Sequence, residues 1–522
     1  MDLEQAVVEF KGLLDRIKMF SSALSVMSFD GATIAPKGSV KIRGKRDGFF
    51  QMEIFNLITS DQMKNCLEVL GSHLDTLDEI TRAEYRLAKK NYDKNTKIPA
   101  DLVKRQAELG AETNASWEEA RENNDFPSFA PFLKKMIELE KEALSYRAEP
   151  GQNLYDILLD DYEEGMDIPA YDKFFNQLKL VIVPLLKAVT SSPYQVDRSF
   201  LSNFVDKETQ KTISKFIAEK VGYDLNRGYI GESPHPFCNG SDKTDVRITT
   251  RYDEVDFQSS FYGVLHESGH ALYEQNISDE INETALGGGV SMGIHESQSR
   301  FVENVIGRSL EFWENVTDEL KTYLPESFKD VTPQMFYEAV NHSAPSLIRV
   351  EADELTYSLH ILIRYEVEKL LFTTDVDIND LPKIWNQKYE EYLGITPPTD
   401  TLGVLQDIHW SWGSFGYFPT YALGSAYSAQ LLAYMKKDLD VEALVRNGEL
   451  AAITSWLTTH IHQHGSLYTP RDLIKNIAGE DLDASYYTDY LLAKFKDLYR
   501  LAPTVKASLE PLPLKGREQA VS

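Results

Sequence analysis

The chain has 522 residues, 42% of them hydrophobic, enough to bury a large core in one big domain or in two lobes. Its formal net charge is −27, from 54 Lys+Arg against 81 Asp+Glu. That balance repels phosphate backbones and anionic bilayers, and no basic block relieves it, so neither nucleic acid nor a membrane is an expected partner. Cys66 and Cys238 are the two cysteines, which rules out a disulfide scaffold and points to a reducing, cytoplasmic compartment.

Along the chain, helical periodicity dominates. Met1 to Gln5 has neither a basic stretch nor an apolar run, so no signal peptide is expected. Phe132, Leu133, Met136, Ile137 and Leu144 trace one apolar face, with Lys134, Lys135, Glu138, Glu140, Lys141 and Glu142 on the other. The most apolar stretch, Leu178 to Val189, is interrupted by Lys179, Pro184 and Lys187 and is too short to span a bilayer. Strand-like alternation is confined to Val246, Ile248 and Thr250, with Tyr252, and predicts a small sheet whose edge can serve as a rail for an extended peptide or as a plain structural hairpin. Apolar residues at 257, 261, 264 and 265 then announce a helix, with Asp256 as its N-cap.

That helix carries His266-Glu267-Ser268-Gly269-His270. At i and i+4 both imidazoles leave one face and can share a metal ion, while Glu267, one residue along, reaches a water beside it without being a ligand. Two neutral nitrogen donors, an open position and an adjacent carboxylate base are what a zinc peptidase requires. Gly287, Gly288 and Gly289 break the chain before a second periodic stretch starts at Val290, and a reversal there returns Glu296 or its neighbour His295 to the metal. Glu296 is preferred, because two histidines and a carboxylate form a hydrolytic zinc set. Further on, Leu355, Leu359, Leu362, Ile363 and Val367 repeat the helical pattern, and Pro397-Pro398 marks a turn. His460, His462 and His464 alternate, but the run leading into them reads as helical and no acidic base accompanies them, so they are taken as structural or groove-lining. Cys238 is read as a bystander thiol.

At this point the sequence resembles the carboxypeptidase Taq family of thermostable-type zinc metallocarboxypeptidases. The resemblance is carried, in order, by His235-Pro236-Phe237, Asp245-Val246-Arg247-Ile248-Thr249-Thr250, the pentad, His295-Glu296-Ser297-Gln298, Ile348-Arg349-Val350-Glu351-Ala352-Asp353, and Gly403-Val404-Leu405-Gln406-Asp407-Ile408-His409-Trp410. Near the N-terminus the family usually has Trp-Asp where this chain reads Phe29-Asp30.

The resemblance implies a mainly α, two-lobed peptidase with a deep groove, a small sheet beside the metal helix, and one catalytic domain over residues 1–505 (zinc core about 235–425) followed by a frayed tail at 506–522. It implies one zinc per chain, replaceable by cobalt, held by His266, His270 and Glu296, with Glu267 as base. The substrates are then peptides with a free C-terminus, cut one residue at a time, and the protein a homodimer. A terminal carboxylate is best recognised by a fixed guanidinium. Arg349 is the candidate, with Arg247 second; the alternative for Arg349 is a structural salt bridge with Glu351, Asp353 or Glu354. Tyr421, with Tyr417 one turn away if helical and His409 upstream, is expected over the scissile carbonyl, and His235 along the substrate backbone or as a cap. Two other readings remain open: a zinc oligopeptidase or dipeptidyl carboxypeptidase, told apart by product length, and an inactive helical binding protein, which the intact Glu267 argues against.

Overall fold

The apolar periodicity becomes a mostly helical body in the computed structural model, which describes residues 1–502. The tail called at 506–522 lies outside the described residues. Phe126–Ser145 buries Leu133, Met136, Ile137 and Leu144 along its predicted stripe. Tyr357–Thr373 does the same with Leu359, Leu362, Ile363 and Val367. Among the described residues no helix is long and apolar enough to cross a membrane, and Leu178 to Val189 lies in the amphipathic helix Ile168–Thr190.

The sheet has three strands, β1 (Gly228–Glu232), β2 (Cys238–Asp242) and β3 (Asp245–Thr250), in the order β1-β3-β2. β3 pairs in parallel with β1, Ile230 opposite Ile248, and antiparallel with β2, Cys238 opposite Ile248. The strand read from its alternation is therefore the central one. Its Val246 and Ile248 are fully buried, which is why it alone showed a pattern. The edges belong to β1 and β2, which carry Gly, Asn and Ser and have no such signal. The rail, where a sheet edge serves as one, is thus not Val246–Thr250.

Hydrophobic burial divides into two main clusters. The larger runs from Trp117 to Tyr499 and contains the buried residues of the central strand and of the pentad helix. A separate cluster, built on Phe10, Leu13, Met63, Leu67 and Leu70, holds the N-terminal helices together. The helix Leu3–Thr33 lies across β2, where Ser25 Oγ donates to Asn239 Oδ1 at 2.6 Å and Asn239 Nδ2 returns a bond to the Ser25 carbonyl at 2.6 Å. Lys18 Nζ donates to the Asn282 carbonyl. Phe29, the residue that departs from the family's Trp, is buried against Tyr229 and Phe237 and lies under the Arg247 guanidinium. It is the apolar pin between the N-terminal helices and the sheet.

Phe29→Ala removes that pin and leaves the main cluster untouched. The change should cost about 3 kcal/mol of local docking free energy. Hydrogen exchange should quicken across residues 3–33 while protection in Phe257–Gln275 stays as in the parent; equal loss in both segments would show that the two clusters unfold as one.

Candidate active site

The pentad lies in the helix Phe257–Gln275, as its spacing requires. Asp256 occupies the N-cap position, but its side chain makes no capping bond and its Oδ1 is buried without a partner; the cap acts through the Asp256 carbonyl, which accepts from Ser259 N–H. A second helix, Met292–Arg300, follows the glycine reversal and is capped by Ser291, whose hydroxyl accepts from Ile294 N–H at 3.1 Å. Its first turn is also bound by the buried Glu163, which accepts from Gly293 N–H at 2.9 Å, Ser291 Oγ at 3.1 Å and Tyr427 Oη at 3.1 Å. A third helix, Pro419–Asp438, contains Tyr427 and packs on the other side of the second.

Two glycines set the spacing of this three-helix stack. A Cβ on Gly269 would lie 2.4 Å from the Gln298 carbonyl oxygen and 2.6 Å from Ser299 Cα. A Cβ on Gly424 would lie 2.4 Å from Glu296 Cγ. Each glycine thus lets a backbone approach the middle helix more closely than any side chain permits. The approach carries Glu296 onto the pentad: its Oε2 is 3.6 Å from His266 Nε2 and 3.4 Å from His270 Nε2. Tetrahedral zinc with bonds of about 2.0–2.1 Å has ligand atoms about 3.4 Å apart. His266, His270 and Glu296 are the group of described residues whose donor atoms converge this way, so they fit one divalent ion.

The remaining donors on these ligands are already engaged. His266 Nδ1 meets Glu303 Oε2 at 2.8 Å, and His270 Nδ1 meets His295 Nδ1 at 2.6 Å. His295 therefore stands behind His270 and does not face the converging donors. Glu296 Oε1 accepts from Arg300 Nε at 2.8 Å, while Oε2, the oxygen that faces the imidazoles, accepts from Ser299 Oγ at 3.0 Å. Glu303 is brought round by a π-helical turn, Phe301–Ile306, and is shared by Arg300 Nη1 and Arg308 Nη2, both at 3.3 Å.

The charges respond accordingly. Burial opposes ionisation of Glu296, yet Arg300 and His266 hold its carboxyl well below the usual range. Glu303 is held at about 2 against burial by Arg300, His266 and Arg308. Glu267, 5% exposed, is lifted to about 7 by burial, with Glu296 and Glu303 adding to the effect and His266 opposing it.

Arg349 is buried, but its partner is Asp407 of the Gly-x-x-Gln-Asp motif, not the acids of its own segment. Asp407 Oδ1 accepts from Arg349 Nε at 3.0 Å and Nη2 at 2.9 Å, while Oδ2 accepts from Arg364 Nε at 2.7 Å. Gln406 Oε1 takes Arg349 N–H and Arg364 Nη2. Arg349 Nη1 has the Tyr357 hydroxyl at 3.5 Å, too long for a strong bond. Tyr357 also stacks on Arg300, so one aromatic ring separates Arg349 from the guanidinium that holds Glu296.

Tyr421 and Phe418 cover Arg349, with ring centroids 5.2 and 5.5 Å from its guanidinium carbon. Tyr417 packs edge-on against Tyr421 at 5.2 Å but precedes the helix Pro419–Asp438, so the pair is not one helical turn apart; Gly416, with a positive φ, turns the chain between them and the preceding loop. His409 completes the wall, 5.5 Å from Tyr417 and 6.5 Å from Tyr421. Burial, reinforced by Arg349 and Arg364 and opposed by Asp407, pushes its imidazole down to about 4, and its Nδ1 is buried without a partner. Glu368 pins the loop that bears these residues, accepting from Trp410 Nε1 at 2.8 Å and Gly416 N–H at 2.9 Å.

The exposed His235 lies between β1 and β2, in a turn fixed by Thr249, whose Oγ1 meets Ser233 Oγ at 2.7 Å and accepts from Phe237 N–H at 3.0 Å. Arg247 spends its fork on Asp245, at 2.7 Å for both bonds. His462 is buried and meets Gln298 Oε1 at 2.9 Å, a structural tie to the Glu296 helix. Both cysteines are free; burial, with Glu267 and Glu274 nearby, raises the Cys238 thiol far above its usual value, so it is inert.

Sequence reading missed Glu303, Arg300, Glu274 and Asp407. Glu303 had a faint signal, two turns beyond Glu296 on the same strip, and Arg300 a better one at i+4. Gly424→Ala tests the packing argument. The added methyl must displace Glu296, so thermal stability should fall by about 1–3 kcal/mol and zinc affinity about tenfold or more, read by chelator competition. Parental affinity in that variant would separate the glycine contact from the ligand cluster.

Comparison with known proteins agrees with this geometry. The profile of the Carboxypeptidase Taq (M32) metallopeptidase family matches residues 9–495. Carboxypeptidase 1 of Bacillus subtilis is 45% identical over 502 residues, 96% of this chain and 100% of that protein. A solved structure of Pyrococcus furiosus carboxypeptidase superposes with a TM-score of 0.90 at 36% identity, covering 94% of this chain and 98% of the other. The M32 carboxypeptidase of Deinococcus radiodurans R1 gives 0.90 at 33% identity, covering 95% and 99%. The ordered motifs, the helical fold and the converging His-His-Glu donors have one common explanation: the chain belongs to the carboxypeptidase Taq (M32) metallopeptidase family and is a metal-dependent carboxypeptidase.

Proposed function

We propose that this carboxypeptidase holds one zinc ion on His266, His270 and Glu296, uses Glu267 as its general base, and recognises the free C-terminal carboxylate of peptides with Arg349, releasing single amino acids. A divalent ion in that cluster supplies a nucleophilic water at neutral pH and polarises the scissile carbonyl. Glu267 lies next to His266 in the chain, is buried, and makes no ion pair among the described residues. It takes the proton of the attacking water and returns it to the departing amine.

The observation that carries the substrate assignment is the shared Asp407. One carboxylate is divided between two guanidiniums, so Arg349 keeps attraction for a further anion, and its Nη1 edge lacks a strong acceptor. At 7% exposure little water screens that attraction. Arg247, by contrast, is matched one-to-one by Asp245.

Tyr421 and His409 are proposed to donate to the developing oxyanion, with Tyr417 lining the subsite and His235 along the substrate backbone. Burial lifts the Tyr421 hydroxyl well above its usual value, so it remains a donor at neutral pH, and His409 stays uncharged there. Residues 1–505 are taken as one catalytic unit, supported by the hydrogen bonds of Lys18 and Ser25 and the packing of Phe29 against the body. A homodimer and a cytoplasmic location complete it; the two free cysteines are consistent with the latter.

Chelation should abolish hydrolysis, and zinc or cobalt should restore it. Glu267→Gln should keep about one zinc per chain by metal analysis and lose roughly three orders of magnitude in kcat, since base and acid steps are both removed; a variant with a tenth of the parental rate would move the base elsewhere.

Arg349→Ala should cost about 2–5 kcal/mol in kcat/KM on peptides with a free C-terminus. Arg349→Lys should rescue little, because a point charge cannot reproduce the fork. The variant should barely change the low rate on amidated peptides. Parental kcat/KM in Arg349→Ala would remove the clamp from this residue, and peptide products longer than one residue would favour a dipeptidyl carboxypeptidase.

A further inference from the structure

His270 is the only one of the two pentad histidines whose outer nitrogen does not face a carboxylate. His266 Nδ1 has Glu303 Oε2 directly, whereas His270 Nδ1 has the imidazole of His295 at 2.6 Å. Two nitrogens at that distance share one proton. His270 Nε2 points towards Glu296 Oε2 and must offer a lone pair there, so the shared proton belongs to His270 Nδ1 and His295 Nδ1 accepts it. The His295 proton is then on Nε2, where Glu274 Oε1 accepts it at 2.7 Å. Glu274 Oε1 also accepts from Gly289 N–H at 3.2 Å. The opposite assignment puts a proton on His270 Nε2, aimed into the ligand cluster, and leaves Glu274 facing a bare nitrogen.

We infer that His295 and Glu274 are positioning residues that hold His270 in its ligand tautomer and orientation, with the reversal at 287–289 as their anchor. The pair is built in, not incidental. A Cβ on Gly289 would strike His295 Cδ2 at 2.4 Å, and Tyr273 supports the His295 ring at 5.2 Å. Both residues are largely buried, with 23% and 17% of their side chains exposed. The two metal arms are consequently unequal. The His266 arm ends on a carboxylate already paired with Arg300 and Arg308, while the His270 arm ends on a second imidazole backed by a carboxylate. The inference rests on the proposed ligand set.

The test measures zinc dissociation from the full-length holoenzyme into excess chelator, and the visible spectrum of the cobalt-substituted protein. His295→Leu should release zinc about 10–100-fold faster and shift the cobalt bands, with the melting temperature of the metal-free protein unchanged. His295→Asn, which keeps an acceptor oxygen near the Nδ1 position, should recover most of the loss. Glu274→Leu should act in the same direction more weakly and add nothing in the His295→Leu background. Where His295→Leu yields no folded protein, His295→Asn combined with Glu274→Leu carries the same comparison. Parental release rates and spectra in His295→Leu and Glu274→Leu, alongside a His270→Ala variant that binds no zinc, would overturn the relay and leave the ligand set intact. Stoichiometric zinc in His270→Ala would overturn both.

Discussion

The site depends on how closely three helices can approach one another. Glu296 reaches the pentad because its helix is squeezed between Gly269 on one side and Gly424 on the other, at distances no Cβ could tolerate. Dispersion and burial pull the helices together, and the two glycines decide where that attraction stops. The stopping point brings Glu296 Oε2 to 3.4 and 3.6 Å from the two imidazoles, with Gly424 facing the Glu296 side chain itself. Glu163 fixes the remaining degree of freedom by holding the first turn of the middle helix, so it cannot slide along its neighbours.

Charge is arranged in alternation around that contact. Glu267, Glu296 and Glu303 bring three carboxylates into a nearly dry region against the guanidiniums of Arg300 and Arg308. Arg300 bridges Glu296 and Glu303 and favours the ionised form of both, while Glu303 also holds His266 Nδ1. Glu267 is left outside the bridge, and burial accordingly raises its proton affinity while the other two are lowered. Three neighbouring acids are thereby sorted by their surroundings into one of raised proton affinity and two held as anions. At the Arg349 end the sign is inverted, with two guanidiniums around Asp407, so the region carries an anionic pole and a cationic pole joined through Tyr357.

The converging metal-site donors were far more legible in the sequence than the architecture that holds them. His266, Glu267 and His270 were readable because helix periodicity converts i and i+4 into shared direction, and Leu133 or Leu362 because burial imposes the same period on apolar residues. Central β3 was readable through Val246 and Ile248; β1 and β2 were not, since an edge strand needs no alternating apolar face. Asp407 as the partner of Arg349 was invisible: the two are joined only by tertiary contact, and nearer acids at 351, 353 and 354 offered more obvious partners. Asp256 shows the converse error, a residue of the right type at the right position whose side chain makes no cap. Tyr417 fails likewise, because Gly416 and Pro419 place the helix start after it. Phe29, near the N-terminus, packs against Phe237 in the turn that carries His235, a contact that no local pattern announces.

The π-helical turn at Phe301–Ile306 has a consequence for helical phase. A π turn contains one residue more than an α turn, and one residue is about 100° of rotation. The turn therefore breaks the α-helical phase of Met292–Arg300, and the chain leaves it through Gly307 and Arg308 before Ser309 caps the helix Leu310–Leu320. Glu296 and Arg300 keep the face that meets the pentad, Glu303 swings inside the turn to reach His266, and Arg308 emerges on a new azimuth under the Tyr262 ring and against the Val340 carbonyl. Losing a single residue within the turn would change the azimuth at which Glu303 leaves the Glu296 helix by about 100°, so this short stretch tolerates substitution in length far less than in composition.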